Sequence, residues 1–524
     1  MAPLDELAVW RGLVQLVKAE VLYQQGVPPQ ATYTFKHALL QDMAYQSLLR
    51  STRQQYHQRI AQLLEARFAE TIETQPELLA HHYTAAGLSE QAMGYWQRAG
   101  QRAYQHSAYV EAISHFTQGL EVLKTMPETI ERRRQELEVQ TTLGQALAAV
   151  KGLAAPEVEA VYQRARVLCQ QVGETPQLLG VLYRLGILSN NRGQYQVARE
   201  LGEQALRLAQ QVHDPAGIAH AHLLLGNTSW FLGELDVARA HIEQNIGLYS
   251  PQQSRAHGLL GETHFGVFCR CRLARILWCL GYPDQALQRS QEALQLARET
   301  SHPMTLAVAL LFAATLYQYR REGQLALEWS EAALALAHEQ GFAQRLAEAT
   351  IQRGWGLVEQ GQEEAGIAQI RQGLAALRVT GVGTSRSYMG LLAEAYGKAG
   401  QPEAGLRVVA EVWASSNRSA QGTATTELYR LQGELLLRQA IPDAPQAEAS
   451  FQQALAMARR QQAKSLELRA ATSLARLWQQ RGKYQEAHDL LAPVYHWFTE
   501  GFDTADLQDA KTLLDALEEQ RHDV

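Results

Sequence analysis

The chain is poor in cysteine for its length and has no long hydrophobic run. Of its four cysteines, Cys269, Cys271 and Cys279 fall on one predicted helix. A Cys-x-Cys pair on a helix points its thiols to different faces, so neither a disulfide framework nor a metal site is expected, and buried, reduced thiols in a cytoplasmic protein are the default. The longest apolar run, 305–317, has thirteen residues. A membrane span needs about twenty, so this run predicts a buried helix.

The sequence also lacks an excess of basic charge and a phosphate-binding loop. Its formal net charge is −6 and no long basic run is present, which disfavours non-specific nucleic-acid binding. The Gly-Lys pairs at 397–398 and 482–483 are followed by Ala399 and Tyr484, where a P-loop requires Ser or Thr after a glycine-rich turn. Serine, histidine and paired carboxylates show no catalytic arrangement. We therefore expect a non-catalytic chain that needs no cofactor and no metal.

What the sequence does contain is a repeated unit of about forty residues. A small residue recurs at intervals of 39 to 48 residues, at Gly100, Gly144, Gly186, Gly226, Ala274, Ala314, Gly354, Ala393, Gly433 and Ala475. A second small residue follows most of these by twelve positions, at Ala112, Ala198, Ala238, Ala286, Ala326, Gly366, Gly405 and Ala487. A glycine stands five residues before most of the second set. Paired small residues let two antiparallel helices touch, and the glycine supplies a left-handed helix end.

This pattern resembles the tetratricopeptide repeat in its longer form, through roughly ten copies. The resemblance implies an all-α, right-handed superhelix of about ten helix pairs over residues 71–502, followed by a capping helix and tail over 503–524. Self-similarity at this period indicates a solenoid. HEAT-type repeats and an unrelated helical bundle are the alternatives. The longest interval, after Gly226, contains an insertion around Ser250 that we note as a candidate contact point.

Residues 1–70 have a different character. Residues 4–24 predict an amphipathic helix, Tyr33 and Phe35 alternate as in a short strand, and 37–49 and 52–68 predict two helices. The stretch from Phe35 to Ala61 resembles the winged-helix segment that follows the nucleotide-binding core of bacterial STAND-type ATPases. The segments 76–83 and 490–504 are also similar to that family, some of whose members carry a nucleotide-cyclase-like domain.

The STAND resemblance implies a regulatory role. The chain would be the sensor region that gates an ATPase, and in some members an adenylate or guanylate cyclase, in cis or in trans. His37 matches a histidine that contacts the nucleotide phosphate in related proteins, so it would bind nucleotide only if an NTPase core is present. The alternatives are a free-standing tetratricopeptide adaptor and a winged-helix transcription regulator, the latter disfavoured by the weak basic character of residues 1–70.

The predicted binding surface is the groove lined by the first helix of each repeat. In tetratricopeptide arrays this groove takes a protein or peptide, and Tyr, Trp and Arg dominate interface energetics. We expect a cytoplasmic protein with such a partner, with no membrane association. The candidate groove residues are Arg184, Asn191, Asn227, Trp230, Arg272, Arg275, Tyr317, Tyr319, Arg353, Trp355, Tyr388, Tyr396 and Arg430.

Overall fold

The computed structural model describes residues 6–27, 31–153, 155–173, 175–248, 264–379, 386–415 and 422–522. The chain divides into two compact units, Met1–Ala146 and Leu147–Val524. The described residues form 26 helices and one two-stranded sheet. None of these helices is both long enough and apolar enough to cross a membrane. The predicted insertion around Ser250 lies outside the described residues.

The first unit begins with a helix and a hairpin. Helix α1 spans Glu6–Lys18, and the antiparallel strands β1 (Leu22–Gln25) and β2 (Thr32–Phe35) follow, with Leu22 paired to Phe35. The helix predicted over 4–24 is therefore too long. Residues 22–24, which the prediction placed in that helix, instead lie in β1 and pair with β2. This pairing buries Leu22, which is 5% exposed. The predicted strand at 33–35 is confirmed.

Helices fill the rest of the first unit. They are α2 (Ala38–Gln46), α3 (Arg50–Arg67), α4 (Ala69–Thr74), α5 (Pro76–Ala86), α6 (Ser89–Gln105), α7 (Tyr109–Lys124) and α8 (Ile130–Lys151), the last of which continues into the second unit. The two helices predicted over 37–49 and 52–68 are present as α2 and α3. The domain limits at residues 70 and 502 remain predictions.

The second unit is a series of helix pairs. Its helices are α9 (Pro156–Val172), α10 (Thr175–Asn191), α11 (Tyr195–Gln211), α12 (Pro215–Leu232), α13 (Leu235–Gly247), α14 (Phe265–Leu280), α15 (Pro283–Glu299), α16 (Pro303–Tyr319), α17 (Gly323–Glu339), α18 (Ala343–Glu359), α19 (Glu363–Val379), α20 (Arg386–Lys398), α21 (Pro402–Ser415), α22 (Thr423–Leu437), α23 (Ala444–Arg460), α24 (Lys464–Gln480), α25 (Tyr484–Tyr495) and α26 (Ala505–His522). Even-numbered helices from α6 to α24 are the first helices of ten repeats, and α26 follows the last. The predicted all-α, tetratricopeptide-type architecture is confirmed.

The paired small residues bring the two helices of a repeat into contact. A Cβ atom on Gly354 would lie 2.7 Å from the carbonyl oxygen of Gly366, and one on Gly366 would lie 2.5 Å from the carbonyl oxygen of Gly354. Ala274 and Ala286 are 2% and 0% exposed at the equivalent positions. Gly281 lies between Ala274 and Ala286 and has φ of +96°. A residue with a side chain would be strained in this left-handed conformation. The repeated positions are therefore small because the backbones of the two helices are in contact there.

The end of the second unit packs against its middle. The Ser465 hydroxyl donates to the carbonyl oxygen of Trp278 at 2.6 Å, and the Glu500 carboxylate accepts from the backbone N–H groups of Asp284 and Gln285 at 2.9 and 3.0 Å. These partners lie 187 to 216 residues apart in sequence. We call this interaction, between residues 465–509 and 278–321, the C-terminal contact. It covers part of the surface formed by α14 and α16.

Candidate functional site

First helices of neighbouring repeats pack on one another within the second unit, as α10 does on α12 and α16 on α18. Side chains also link them: Asn190 donates to the Thr228 hydroxyl at 3.0 Å, and the Trp355 indole donates to Glu394 at 3.1 Å. We call the surface that these helices share the first-helix face. The polar side chains on it are therefore held in place by the neighbouring repeat.

Two arginines from α14 lie on the first-helix face inside a group of aromatic rings. The guanidinium carbons of Arg272 and Arg275 are 5.7 and 5.0 Å from the ring centroid of Trp230, and 5.7 and 5.6 Å from that of Phe312. Arg275 also donates to the Tyr319 hydroxyl at 2.7 Å. Aromatic faces attract cations through the ring quadrupole. We call Arg272 and Arg275 the arginine pair.

Arg272 is buried and Arg275 is half-buried, and neither has a carboxylate partner among the described residues. Arg272 is 8% exposed and also faces the rings of Phe231 and Phe268, at 6.0 and 5.5 Å. The Nε atoms of both arginines are buried without a hydrogen-bond partner. Burial, together with the charge of Arg275, lowers the pKa of Arg272 to about 9. Arg272 therefore still carries a charge near neutral pH.

A charged network continues from Tyr319 along the same face. The Trp278 ring lies 4.8 Å from the Tyr319 ring, and the Arg469 guanidinium lies 4.8 Å over Trp278. Arg430 donates to Glu427 at 2.6 Å. Burial alone would raise the pKa of Glu427, but the guanidinium groups of Arg430 and Arg469 lower it to about 2. This carboxylate is thus held in its charged form by two arginines.

Several predicted groove residues come together here. Trp230, Arg272, Arg275 and Tyr319 form one cluster around the arginine pair. Tyr388 lies within electrostatic range of Arg275; burial raises the pKa of Tyr388, and the charge of Arg275 partly offsets this rise. Arg430 belongs to the adjoining network with Glu427.

Other predicted groove residues lie elsewhere on the first helices. Arg184 lies 5.9 Å from the Tyr162 ring, Arg353 pairs with Glu331, and Tyr317 stacks on Trp329. Asn191 is exposed, while Asn227 and Tyr396 are half-buried. Trp355 is 1% exposed. It is therefore a packing residue between repeats, and the spacing of apolar positions could not distinguish that role from an open groove position.

Six residues that help to form the cluster and the network were not predicted from the sequence. The aromatic residues Phe231, Phe268, Trp278 and Phe312 lie on the same first helices as the predicted residues, so their aromatic character was a usable signal. Arg469 and Glu427 come from α24 and α22, and no local pattern marks them. The C-terminal contact brings α24 to α14, and that contact could not be read from the sequence.

The first unit contains a separate group of histidines. The His57 ring is hydrogen-bonded to the Tyr45 hydroxyl at 2.9 Å and to the His82 ring at 2.8 Å. The centroids of the His57 and His81 rings are 6.0 Å apart. Burial lowers the pKa of His57 and of His82, and neighbouring histidine charges lower both further. His37 is exposed immediately before α2. In the described parts of the chain, no group of three or more His, Cys, Asp or Glu side chains could hold a metal ion.

Comparison with known proteins supports the fold. The tetratricopeptide-repeat family model matches residues 178–218 and 468–495. A Rap protein solved in complex with competence and sporulation factor has a TM-score of 0.52 and 12% identity, and the match covers 71% of this chain and 99% of that one. The two chains share a tetratricopeptide-type fold.

Two further similarities concern longer proteins. An uncharacterised protein of Rhizobium meliloti is 22% identical over 416 residues, which cover 79% of this chain. The match covers 40% of that relative, so the chain spans less than half of the relative's length. A signal transduction ATPase with numerous domains and a tetratricopeptide-repeat sensor, from Pyrococcus horikoshii, has a TM-score of 0.38 and 13% identity, with coverage of 77% of this chain and 56% of that one.

Proposed function

We propose that this chain is a non-catalytic binding module that holds a protein or peptide partner on its first-helix face. The observation that carries the proposal is the group of Trp230, Arg272, Arg275 and Tyr319 on adjacent first helices. These are the residue types that dominate protein interfaces, and here they are fixed in position by packing between repeats. The Rap protein of similar fold was solved with competence and sporulation factor, which is consistent with a ligand-binding use of this architecture.

We further propose that the module is the sensor region of a STAND-type ATPase or nucleotide cyclase in the cytoplasm. The support is the similarity of residues 35–61, 76–83 and 490–504 to that family. The last of these segments contains Glu500, which makes the C-terminal contact. In this setting His37 would face the nucleotide site of the ATPase. The free-standing adaptor is the alternative, and sequencing the transcript upstream of Met1 distinguishes the two. An in-frame P-loop NTPase favours the sensor, whereas a start site at Met1 without one favours the adaptor.

Quantitative affinity capture from the native host tests the binding role. The bait is the full chain, compared with its Tyr319→Ala and Tyr396→Ala variants on first helices. Tyr484→Ala is the matched control, because Tyr484 is also half-buried but lies on the second helix α25. We expect at least one captured protein to be lost from both first-helix variants and retained by the control. Equal capture by all four baits would refute the proposal.

A further inference from the structure

The arginine pair places two positive charges in one aromatic enclosure without an anion. The Arg272 guanidinium makes no hydrogen bond or ion pair with any residue that the structure describes, and it lies against four aromatic rings. The one hydrogen bond that the Arg275 guanidinium makes among the described residues is to the hydroxyl of Tyr319. The charge of Arg275 also disfavours the charged form of Arg272. Two like charges in a shared, poorly hydrated site are costly unless something compensates them.

A buried arginine and a half-buried one elsewhere in the second unit differ in this respect. Arg320 is 4% exposed and pairs with Glu322 and with Asp503. Arg430 pairs with Glu427 at 2.6 Å. The chain therefore supplies carboxylates to guanidinium groups elsewhere in the second unit, and the arginine pair stands out because its Nε–H groups are left without an acceptor.

We propose that the arginine pair binds an oxyanion, a carboxylate or a phosphate group, carried by the ligand of the first-helix face. The proposal rests on the proposed function for the location of that ligand. A guanidinium group binds an oxyanion through two parallel N–H donors, and its Nε–H edge is suited to this geometry. The rings of Trp230 and Phe312 hold both guanidinium groups and exclude water, which strengthens the attraction to an anion.

Binding of small oxyanion probes to the full chain tests the proposal without a partner protein. The probes are the peptide acetyl-AAEEAA-amide, its glutamine counterpart acetyl-AAQQAA-amide, and inorganic phosphate, each up to about 10 mM, ten times a weak Kd of about 1 mM. We expect the glutamate peptide, phosphate or both to raise the Tm saturably, by about 1 °C or more. The glutamine peptide should have no effect.

Three variants assign the effect to the site. Arg272→Gln should weaken probe binding at least tenfold, as should Arg272→Lys, which keeps the charge but loses the two-donor geometry. Arg371→Gln removes an exposed arginine from the second helix α19 and should leave binding unchanged. A circular-dichroism melt of each variant without probe confirms that it is folded, and if Arg272→Gln does not fold, Arg272→Lys decides the outcome.

The outcomes separate this proposal from the proposed function. A response to the glutamate peptide alone assigns a carboxylate, and a response to phosphate alone assigns a phosphate. The absence of any response in the wild type, or an equal response in both Arg272 variants, overturns the oxyanion site. Capture of a partner by the first-helix face together with no oxyanion binding would refute only this inference. Oxyanion binding without a captured partner would refute only the proposed function.

Discussion

Glu500 caps a helix that begins more than two hundred residues before it. Its carboxylate accepts from the backbone N–H of Asp284 at 2.9 Å and from that of Gln285 at 3.0 Å, and also from the Gln285 side chain at 3.0 Å. Helix α15 has no side-chain cap from its own N-cap residue, Tyr282. The first turn of a helix has unsatisfied N–H groups and a partial positive charge. Glu500 therefore supplies the cap that the local sequence lacks.

Replacing Glu500 with alanine should open this contact measurably. Loss of a side-chain cap costs about 0.5–2 kcal/mol, and loss of a carboxylate near a helix N-terminus costs a further 0.3–1 kcal/mol or so. Together they predict about 2 kcal/mol. Because every 1.4 kcal/mol is about tenfold, the amide hydrogens of Asp284 and Gln285 should exchange about 30-fold faster when exchange follows the opening equilibrium.

Hydrogen exchange read by mass spectrometry over peptides covering 281–290 provides the assay. Glu486→Ala is the control, since Glu486 is an exposed carboxylate in the first turn of α25 and does not cap α15. Glu500→Gln should give an intermediate rate, because its amide oxygen can still accept. Unchanged exchange at Asp284 and Gln285 in Glu500→Ala, or an equal increase in the control, would refute the capping argument.

Four further predictions concern packing, charge and pH. Ala286→Arg should lower stability by several kcal/mol because a long cation enters a fully buried helix contact, whereas Gln288→Arg, on the exposed side of the same helix, should be near neutral in a thermal melt. Gly366→Val should cost about 1–3 kcal/mol by overpacking, and chemical denaturation should show it. Arg272→Met should match or exceed the wild-type Tm in the absence of ligand, since it removes a buried, unpaired charge; a clear fall would mean that Arg272 is needed for folding. Burial and a neighbouring histidine lower the pKa of His222 from 6.5 to about 4, so stability should be lost as pH falls from about 6.5 to 4, and His222→Leu should lessen that loss in melts across this range.

The repeat pattern could be read from the sequence because its cause is local. Positions such as Gly354 and Gly366 must be small wherever two helix backbones touch, and Gly281 must allow a left-handed conformation. Both requirements depend on residues close in sequence. This is why the helix pairs and their turns were predicted correctly over most of the chain.

The hairpin after α1 was not predicted because two signals conflicted. Apolar residues continue at helical spacing through Val21, and this favoured a helix up to residue 24. The chain instead leaves the helix after Lys18 and pairs Leu22 with Phe35. Pairing with residues seven to thirteen positions further along the chain outweighed the local periodicity, as tertiary context often does.

The candidate site was only partly predictable because it depends on how the repeats wind. The position of Arg469 over Trp278 and the cap from Glu500 both require repeats about two hundred residues apart to meet. That meeting results from small rotations that accumulate from repeat to repeat, and no spacing in the sequence reports them. Residue type did identify Arg272, Arg275 and Tyr319, but it could not show that Trp355 is a packing residue.

Site-specific photocrosslinking in cells shows whether a partner binds the first-helix face. The photoreactive residue p-benzoylphenylalanine is placed at Tyr396 or Tyr319, on first helices, and at Tyr484, on a second helix. We expect a discrete crosslinked protein from the first two positions and none from the third. Crosslinking from position 484 alone, or from none of the three positions, would refute partner binding on this face.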